Sequence, residues 1–313
     1  MTEIVLWVGV FVVSMIIMLK GADLFLVSSE TIGRIFGLSS FIIGAVIVGL
    51  GTSLPELSVA LFALIKGEET IIISNAVGSN ISNILLIIGV AAIVARRLTV
   101  SKSLIDIDLP MLVASTVIFL AIVWNGRVDF GEALILIGSY VIYFLYTIFS
   151  KDNIDNKEKI KNKEKISVKL IIMLVISGAA LIFGAKYLIE SVVHIADIFN
   201  IKSALISITA VAIGTSLPEL IVSVKAALAG KSDLAIGNIF GSNSFNILMV
   251  VGIPALFTKL QVDPVTFQIG LPVMAAATFL FLVSGISKRI YLWEGAMFIM
   301  FYIFFIGRLF HFF

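Results

Sequence analysis

No cysteine occurs among the 313 residues, so the chain has no disulfide frame, no thiol nucleophile and no thiolate metal site. Histidine is almost as scarce, with two copies, His194 and His311. Charge is scarce too. Charged residues make up 13 % of the chain, where a soluble domain carries about 25 %. The net charge of +2 points to no nucleic-acid partner. Period-two alternation is missing from the long apolar runs, which argues against strands.

What remains is apolar. Hydrophobic residues make up 60 % and mean hydropathy is +1.14, a composition suited to a surface turned toward lipid. At roughly 20 residues per span, the length leaves room for about ten helices. The sequence predicts them at about 4–30, 39–66, 70–95, 104–124, 130–150, 168–195, 203–230, 233–257, 266–285 and 290–310. The start, Met1-Thr2-Glu3, lacks the basic region of a signal peptide, so the first run is expected to be a retained span.

A polar stretch, 151–167, holds Lys151, Lys157, Lys159, Lys161, Lys163 and Lys165 with four acids between them. It carries no binding motif and reads as a solvated linker between an N-terminal half, 1–150, and a C-terminal half, 168–313. Basic residues gather on the cytoplasmic side of a membrane. Placing the linker there puts Arg34, Arg96, Arg97, Lys102, Lys231, Lys288 and Arg289 inside, and leaves Lys66, Arg127, Lys202 and Lys259 outside. Both termini are then expected outside, and the linker is cytoplasmic. Trp7, Trp124 and Trp293 fall near span ends, where an aromatic belt is expected.

Seven residues occur twice, Gly51-Thr-Ser-Leu-Pro-Glu-Leu57 and Gly214-Thr-Ser-Leu-Pro-Glu-Leu220. A second block follows each, Gly78-Ser79-Asn80-Ile81-Ser82-Asn83 and Gly241-Ser242-Asn243-Ser244-Phe245-Asn246. Both pairs share one offset of 163 residues. Five predicted spans separate a helix from its counterpart. Five is odd, so the second half enters the membrane from the opposite face. The expected fold is an all-α polytopic membrane protein of ten transmembrane helices in two inverted five-helix repeats, a plan common among secondary transporters.

The blocks carry the chemistry. Thr52, Ser53 and Glu56 share one helical face. Pro55 lacks an N–H and its ring clashes with the carbonyl of Gly51, so that carbonyl, with Gly49 beside it, is expected to be free for a cation. Pro218 repeats the arrangement near Ala212 and Gly214 for Thr215, Ser216 and Glu219. The second blocks add Ser79 with Asn83, and Ser242 with Asn246. All these donors are hard oxygens, which suit Ca²⁺ or Na⁺ and not a soft transition metal. Two carboxylates balance one divalent ion. Small-residue motifs also serve helix packing, but a glutamate at membrane depth is costly, and here it occurs twice in register. Ser82 faces Phe245 across the repeat and cannot be a symmetric ligand. Lys20 and Asp23 stand three apart and are expected to pair. Asp106 and Asp108 are expected to be solvated, and neither histidine lies near a repeated block.

At these blocks the chain resembles the cation/calcium exchanger superfamily, in the form of its sodium/calcium exchanger branch, which includes the prokaryotic calcium/sodium antiporters. The likeness runs over about 20–95 and 183–258, with alpha-repeats at about 39–95 and 203–258. The resemblance implies that spans 2, 3, 7 and 8 enclose the ions while spans 1 and 6 slide against them. It implies that Glu56 and Glu219 bind Ca²⁺ and Na⁺ in turn. Thr52 and Thr215 ligate, Ser53, Ser79, Ser216 and Ser242 line flanking Na⁺ sites, and Asn83 and Asn246 complete the centre. Some relatives carry Asp at the position of Asn246, and potassium-dependent members use that acid, so its absence argues against K⁺ transport.

The expected function is Na⁺/Ca²⁺ antiport by alternating access in a plasma membrane of prokaryotic type. The transported ions are substrates; no cofactor, nucleic acid or obligatory protein partner is implied beyond the lipid bilayer. H⁺/Ca²⁺ antiport on the same glutamates stays open, as does a passive cation channel. An intramembrane enzyme using the two glutamates as acid and base is disfavoured, since the chain has no cysteine and no histidine accompanies either motif.

Overall fold

In lipid every backbone N–H and C=O needs an internal partner, so the apolar runs become helices. The computed structural model describes residues 2–99, 109–149, 167–198 and 215–310. The helices are α1 Thr2–Ile35, α2 Ser40–Lys66, α3 Thr70–Ala95, α4 Leu109–Val123, α5 Phe130–Phe149, α6 Val168–Ile198, α7 Leu217–Leu228, α8 Ser232–Ala255, α9 Thr266–Ile286 and α10 Leu292–Leu309. Eight of them are long and apolar enough to cross a membrane. The other two are α4, an apolar helix of 15 residues, and α7, 12 residues preceded by chain outside the described residues. The linker through Ile166, Lys102, Asp106, Asp108, Lys202, Gly214 and His311 also lie outside them. Ser167 is described, and its hydroxyl accepts from the N–H of Leu170 to cap α6.

Burial separates two kinds of helix. In α8, 94 % of the apolar window is buried; in α1 only 17 % is. The outer face of α1 (Val5, Val13, Ile16, Val27) and that of α6 (Ile172, Val175, Phe183) are apolar and exposed, as lipid contact requires. These two helices pack along each other. A Cβ on Gly21 would lie 3.0 Å from that of Ala180, and one on Gly184 would lie 2.9 Å from that of Met18. The two glycines stand 163 residues apart, so the crossing point itself repeats. Inside this layer α2, α3, α7 and α8 pack on one another. Trp124 and Trp293 are exposed at helix ends, as an aromatic belt requires.

Strands do occur, contrary to the expectation from the long runs. β1 Arg97–Thr99 pairs antiparallel with β4 Arg289–Tyr291, and β2 Arg127–Val128 pairs with β3 Leu260–Gln261. Each is two or three residues at a helix end, too short to leave a period in the sequence. They clasp connections from opposite halves, and their register repeats. Adding 163 to Leu98 and Val128 gives positions 261 and 291. The pairs Arg127↔Gln261 and Val128↔Leu260 thereby become Leu98↔Ile290 and Arg97↔Tyr291, both of which are present.

Ion pairs tie α1 to the second half. Lys225 of α7 bonds Asp23 and the carbonyl of Leu19, and Lys231 bonds Glu30 at 2.6 Å. Asp23 thus pairs across the fold, and the expected Lys20–Asp23 pair is replaced; Lys20 is exposed.

Candidate ion-binding site

Each repeated proline sits in the first turn of a new helix segment. Before it the chain bends at Ser53 (φ −88, ψ 6) and at Ser216 (φ −88, ψ 4), two nearly identical breaks. The bend points the following glutamate inward. Glu56 and Glu219 are both 0 % exposed. In α3 and α8 the second blocks run into π-helical turns, Ser82–Ile88 and Asn246–Val250, a distortion frequent at functional sites.

Glycine lets α8 approach α2. A Cβ on Gly241 would stand 2.0 Å from the carbonyl oxygen of Ala45, and one on Gly237 would stand 2.4 Å from that of Phe41. This contact brings Thr52 to α8. Its hydroxyl donates to Asn238 Oδ1 at 3.1 Å and lies 3.4 Å from the Ser242 hydroxyl. Ser242 Oγ donates to the carbonyl of Gly49 at 3.3 Å. Asn238 is held in turn, since its Nδ2 donates to Ser223 Oγ at 2.8 Å.

The glutamates face the opposite repeat. Ser53 Oγ donates to Glu219 Oε1 at 3.1 Å, with Thr52 nearby. Glu56 lies beside the hydroxyls of Thr215 and Ser79 and within electrostatic reach of Glu219. No hydrogen bond of normal length closes on either Glu56 oxygen, on Ser79 or Thr215, or on Glu219 Oε2, among the described residues. Asn83 and Asn246 are 0 % exposed; Asn83 Nδ2 donates to Asn243 Oδ1 at 3.0 Å, while both polar atoms of Asn246 are unpartnered among the described residues. Two buried carboxylates among unpartnered oxygens make a strongly cation-attracting centre.

The structure therefore brings Thr52, Ser53, Glu56, Ser79, Thr215, Glu219 and Ser242 into one linked set. Ser216, Asn83 and Asn246 are buried on the same helices. One expectation changes. The Gly49 carbonyl is occupied, because it accepts from Ser53 N–H and Ser242 Oγ, with Thr52 Oγ1 3.3 Å away. Ser82 is buried and its hydroxyl lies 3.2 Å from that of Tyr302. His194 stacks on Trp7 at 3.9 Å between α1 and α6.

Motif reading missed Asn238, Asn80 and Asn243. Asn80 Nδ2 donates to the backbone oxygen of Asn243 at 3.1 Å. A signal existed for Asn238. Its counterpart 163 residues earlier is Asn75, also an asparagine, just outside the second block.

A cavity of about 560 Å³ runs along α3 from Thr70 and Asp263 past Ser74 and Asn75 to Ser79 and Ser82, with Tyr302 opposite. It reaches the site from the end of the bundle where α2 meets α3. The repeat counterparts of Asn75 and Ser79 are Asn238 and Ser242, and these two meet Thr52 instead.

A paired, buried carboxylate centre inside a bundle of apolar spans, with a mostly apolar cavity leading to Ser79 beside it, defines an ion-translocating membrane protein. The chain belongs to the sodium/calcium exchanger protein family, whose pattern matches residues 6–149 and 169–310. It is 33 % identical to the sodium/calcium exchanger MaX1 of Methanosarcina acetivorans, over 96 % of this chain and 98 % of that one. It is 30 % identical to the inner membrane protein YrbG of Escherichia coli, over 87 % and 86 % of the two chains. Its fold is similar to that of the sodium-calcium exchanger NCX_Mj soaked without Na⁺ and Ca²⁺, with a TM-score of 0.85 at 29 % identity, covering 98 % of this chain and 99 % of that one.

Proposed function

We propose that this chain exchanges Na⁺ for Ca²⁺ across a membrane by alternating access, as a non-enzymatic secondary antiporter. The observation that carries the reading is the pair Glu56 and Glu219, both fully buried and each turned toward hydroxyls of the other repeat. Ca²⁺ takes six to eight oxygen ligands, and two carboxylates neutralise it in a low-dielectric centre. Na⁺ needs fewer charges and can use the flanking hydroxyls. The ligand set is Thr52, Ser53, Glu56, Ser79, Asn83, Thr215, Ser216, Glu219, Ser242 and Asn246.

The architecture under this reading is ten spans in two inverted halves, 1–150 and 168–313. Three repeats at one offset support it: the paired serine breaks, the Gly21 and Gly184 crossing, and the mapped register of the two clasps. The clasp of β1 with β4 gathers Arg97 and Arg289, next to Arg96 and Lys288, at one end. That end is the cytoplasmic face by the distribution of basic residues. The linker lies there, the termini lie outside, and the cavity from Thr70 and Asp263 then leads outward. Asn75 and Ser79 line that cavity while their counterparts Asn238 and Ser242 meet Thr52, an asymmetry of the kind one end state of an alternating cycle requires.

Ca²⁺ uptake into sealed vesicles with imposed gradients tests the reading. Uptake should follow an opposing Na⁺ gradient at clamped pH. Uptake that follows a pH gradient without Na⁺ would instead make the glutamates proton carriers. Uptake without any counter-ion would make the chain a channel.

A further inference from the structure

An amide can ligate a cation only through its oxygen, because its NH₂ group presents hydrogens. Which way Asn83 is turned therefore decides whether it helps or hinders an ion. Asn83 Nδ2 donates to Asn243 Oδ1 at 3.0 Å, which leaves Asn83 Oδ1 as its free, buried oxygen. Asn243 is 0 % exposed, and its backbone oxygen accepts from Asn80 Nδ2 at 3.1 Å. It is thus a fixed acceptor on α8 facing a ligand on α3.

We propose that Asn243 is a positioning residue for ion exchange: its side-chain oxygen takes the NH₂ of Asn83 and so presents the Asn83 oxygen to the transported cation. The inference rests on the reading of Asn83 as a ligand. The repeat gives Asn80 the same role toward Asn246, since 80 and 243, like 83 and 246, differ by 163. That second contact is open in this conformation: Asn80 Oδ1 and both polar atoms of Asn246 have no partner among the described residues. The first amide pair is set and the second is not, an asymmetry matched at Asn238 and Ser242, which meet Thr52 while their counterparts Asn75 and Ser79 line the cavity.

The test is a double-mutant cycle in proteoliposomes, reading Na⁺-driven ⁴⁵Ca²⁺ flux as KM and maximal rate, with melting temperature measured without ions. Asn83→Ala should raise the KM for Ca²⁺, and Asn243→Ala should raise it by about three- to tenfold, the worth of one buried hydrogen bond. The double variant should be no worse than Asn83→Ala alone, because Asn243 acts through Asn83. Asn243→Asp keeps an acceptor at the same reach and should restore most of the affinity. If Asn243→Ala does not fold, Asn243→Ser, too short to reach Asn83, takes its place in the cycle. An unchanged KM in the Asn243 variant, or additive effects in the double variant, overturns the positioning role and leaves Asn83 a ligand. A wild-type KM in Asn83→Ala overturns both.

Discussion

The approach of α8 to α2 is set by one missing side chain, and restoring it is a sharp perturbation. In Gly241→Ala the new Cβ would stand 2.0 Å from the carbonyl oxygen of Ala45, where ordinary contact begins at 3.4 Å. Both neighbours are helix backbone, so no flexible side chain can yield. The helices must part by about 1.4 Å to restore normal contact. Thr52 and Ser242 are already 3.4 Å apart, and Ser242 is 3.3 Å from the Gly49 carbonyl, so a shift of that size opens both contacts. Overpacking of this kind costs about 1–3 kcal/mol of stability. Misplacing a positioned group by about 1 Å can cost on the order of 10²-fold in function. The expected outcome is a lower melting temperature and Ca²⁺ affinity weakened by about ten- to a hundredfold. Gly138→Ala is the control, since a Cβ there meets nothing within 4 Å. Equilibrium ⁴⁵Ca²⁺ binding and thermal unfolding of purified protein read both effects. Wild-type affinity and stability in Gly241→Ala would refute the claim that this glycine contact sets the site.

Two further outcomes follow from the side chains at the centre. Ser53→Ala removes a donor to the Glu219 carboxylate at 3.1 Å; a hydrogen bond to a charged group is worth about 1.5–3 kcal/mol, so Na⁺ activation of Ca²⁺ flux should shift to higher Na⁺ by tenfold or more on that scale, as a Na⁺ titration would show. Asn246→Asp adds a third carboxylate where both amide atoms are unpartnered among the described residues. It should change monovalent preference and admit K⁺ while Ca²⁺ binding survives, which flux with K⁺ opposite Ca²⁺ would measure.

Much of this was legible because the signals are local or repeated. Helix positions followed from apolar runs, and α3 matches its expected limits of 70 and 95. Glu56 and Glu219 were visible because a buried carboxylate is costly and appears twice. Tertiary partners were not legible. Asp23 has Lys20 three residues away, yet it pairs with Lys225 from another helix; spacing along one helix cannot foresee a contact between helices. The Gly49 carbonyl was expected to be free, but Ser242 arrives from α8 to occupy it. Asn243 lies within a quoted block and still escaped notice, because its role depends on where Asn83 is turned. The strand clasps, two or three residues each, are below any periodic signal.

The central claim is that two duplicated glutamates together supply the charge that holds Ca²⁺. Glu56→Gln and Glu219→Gln keep size and shape but each removes one negative charge. A dehydrated divalent ion beside a single carboxylate leaves net positive charge in a low-dielectric site. Na⁺-dependent ⁴⁵Ca²⁺ exchange in proteoliposomes containing each variant is the most direct measurement. The account predicts that each single variant loses most exchange while the folded protein is still recovered. Full exchange in both variants would make the glutamates scaffold and contradict the account.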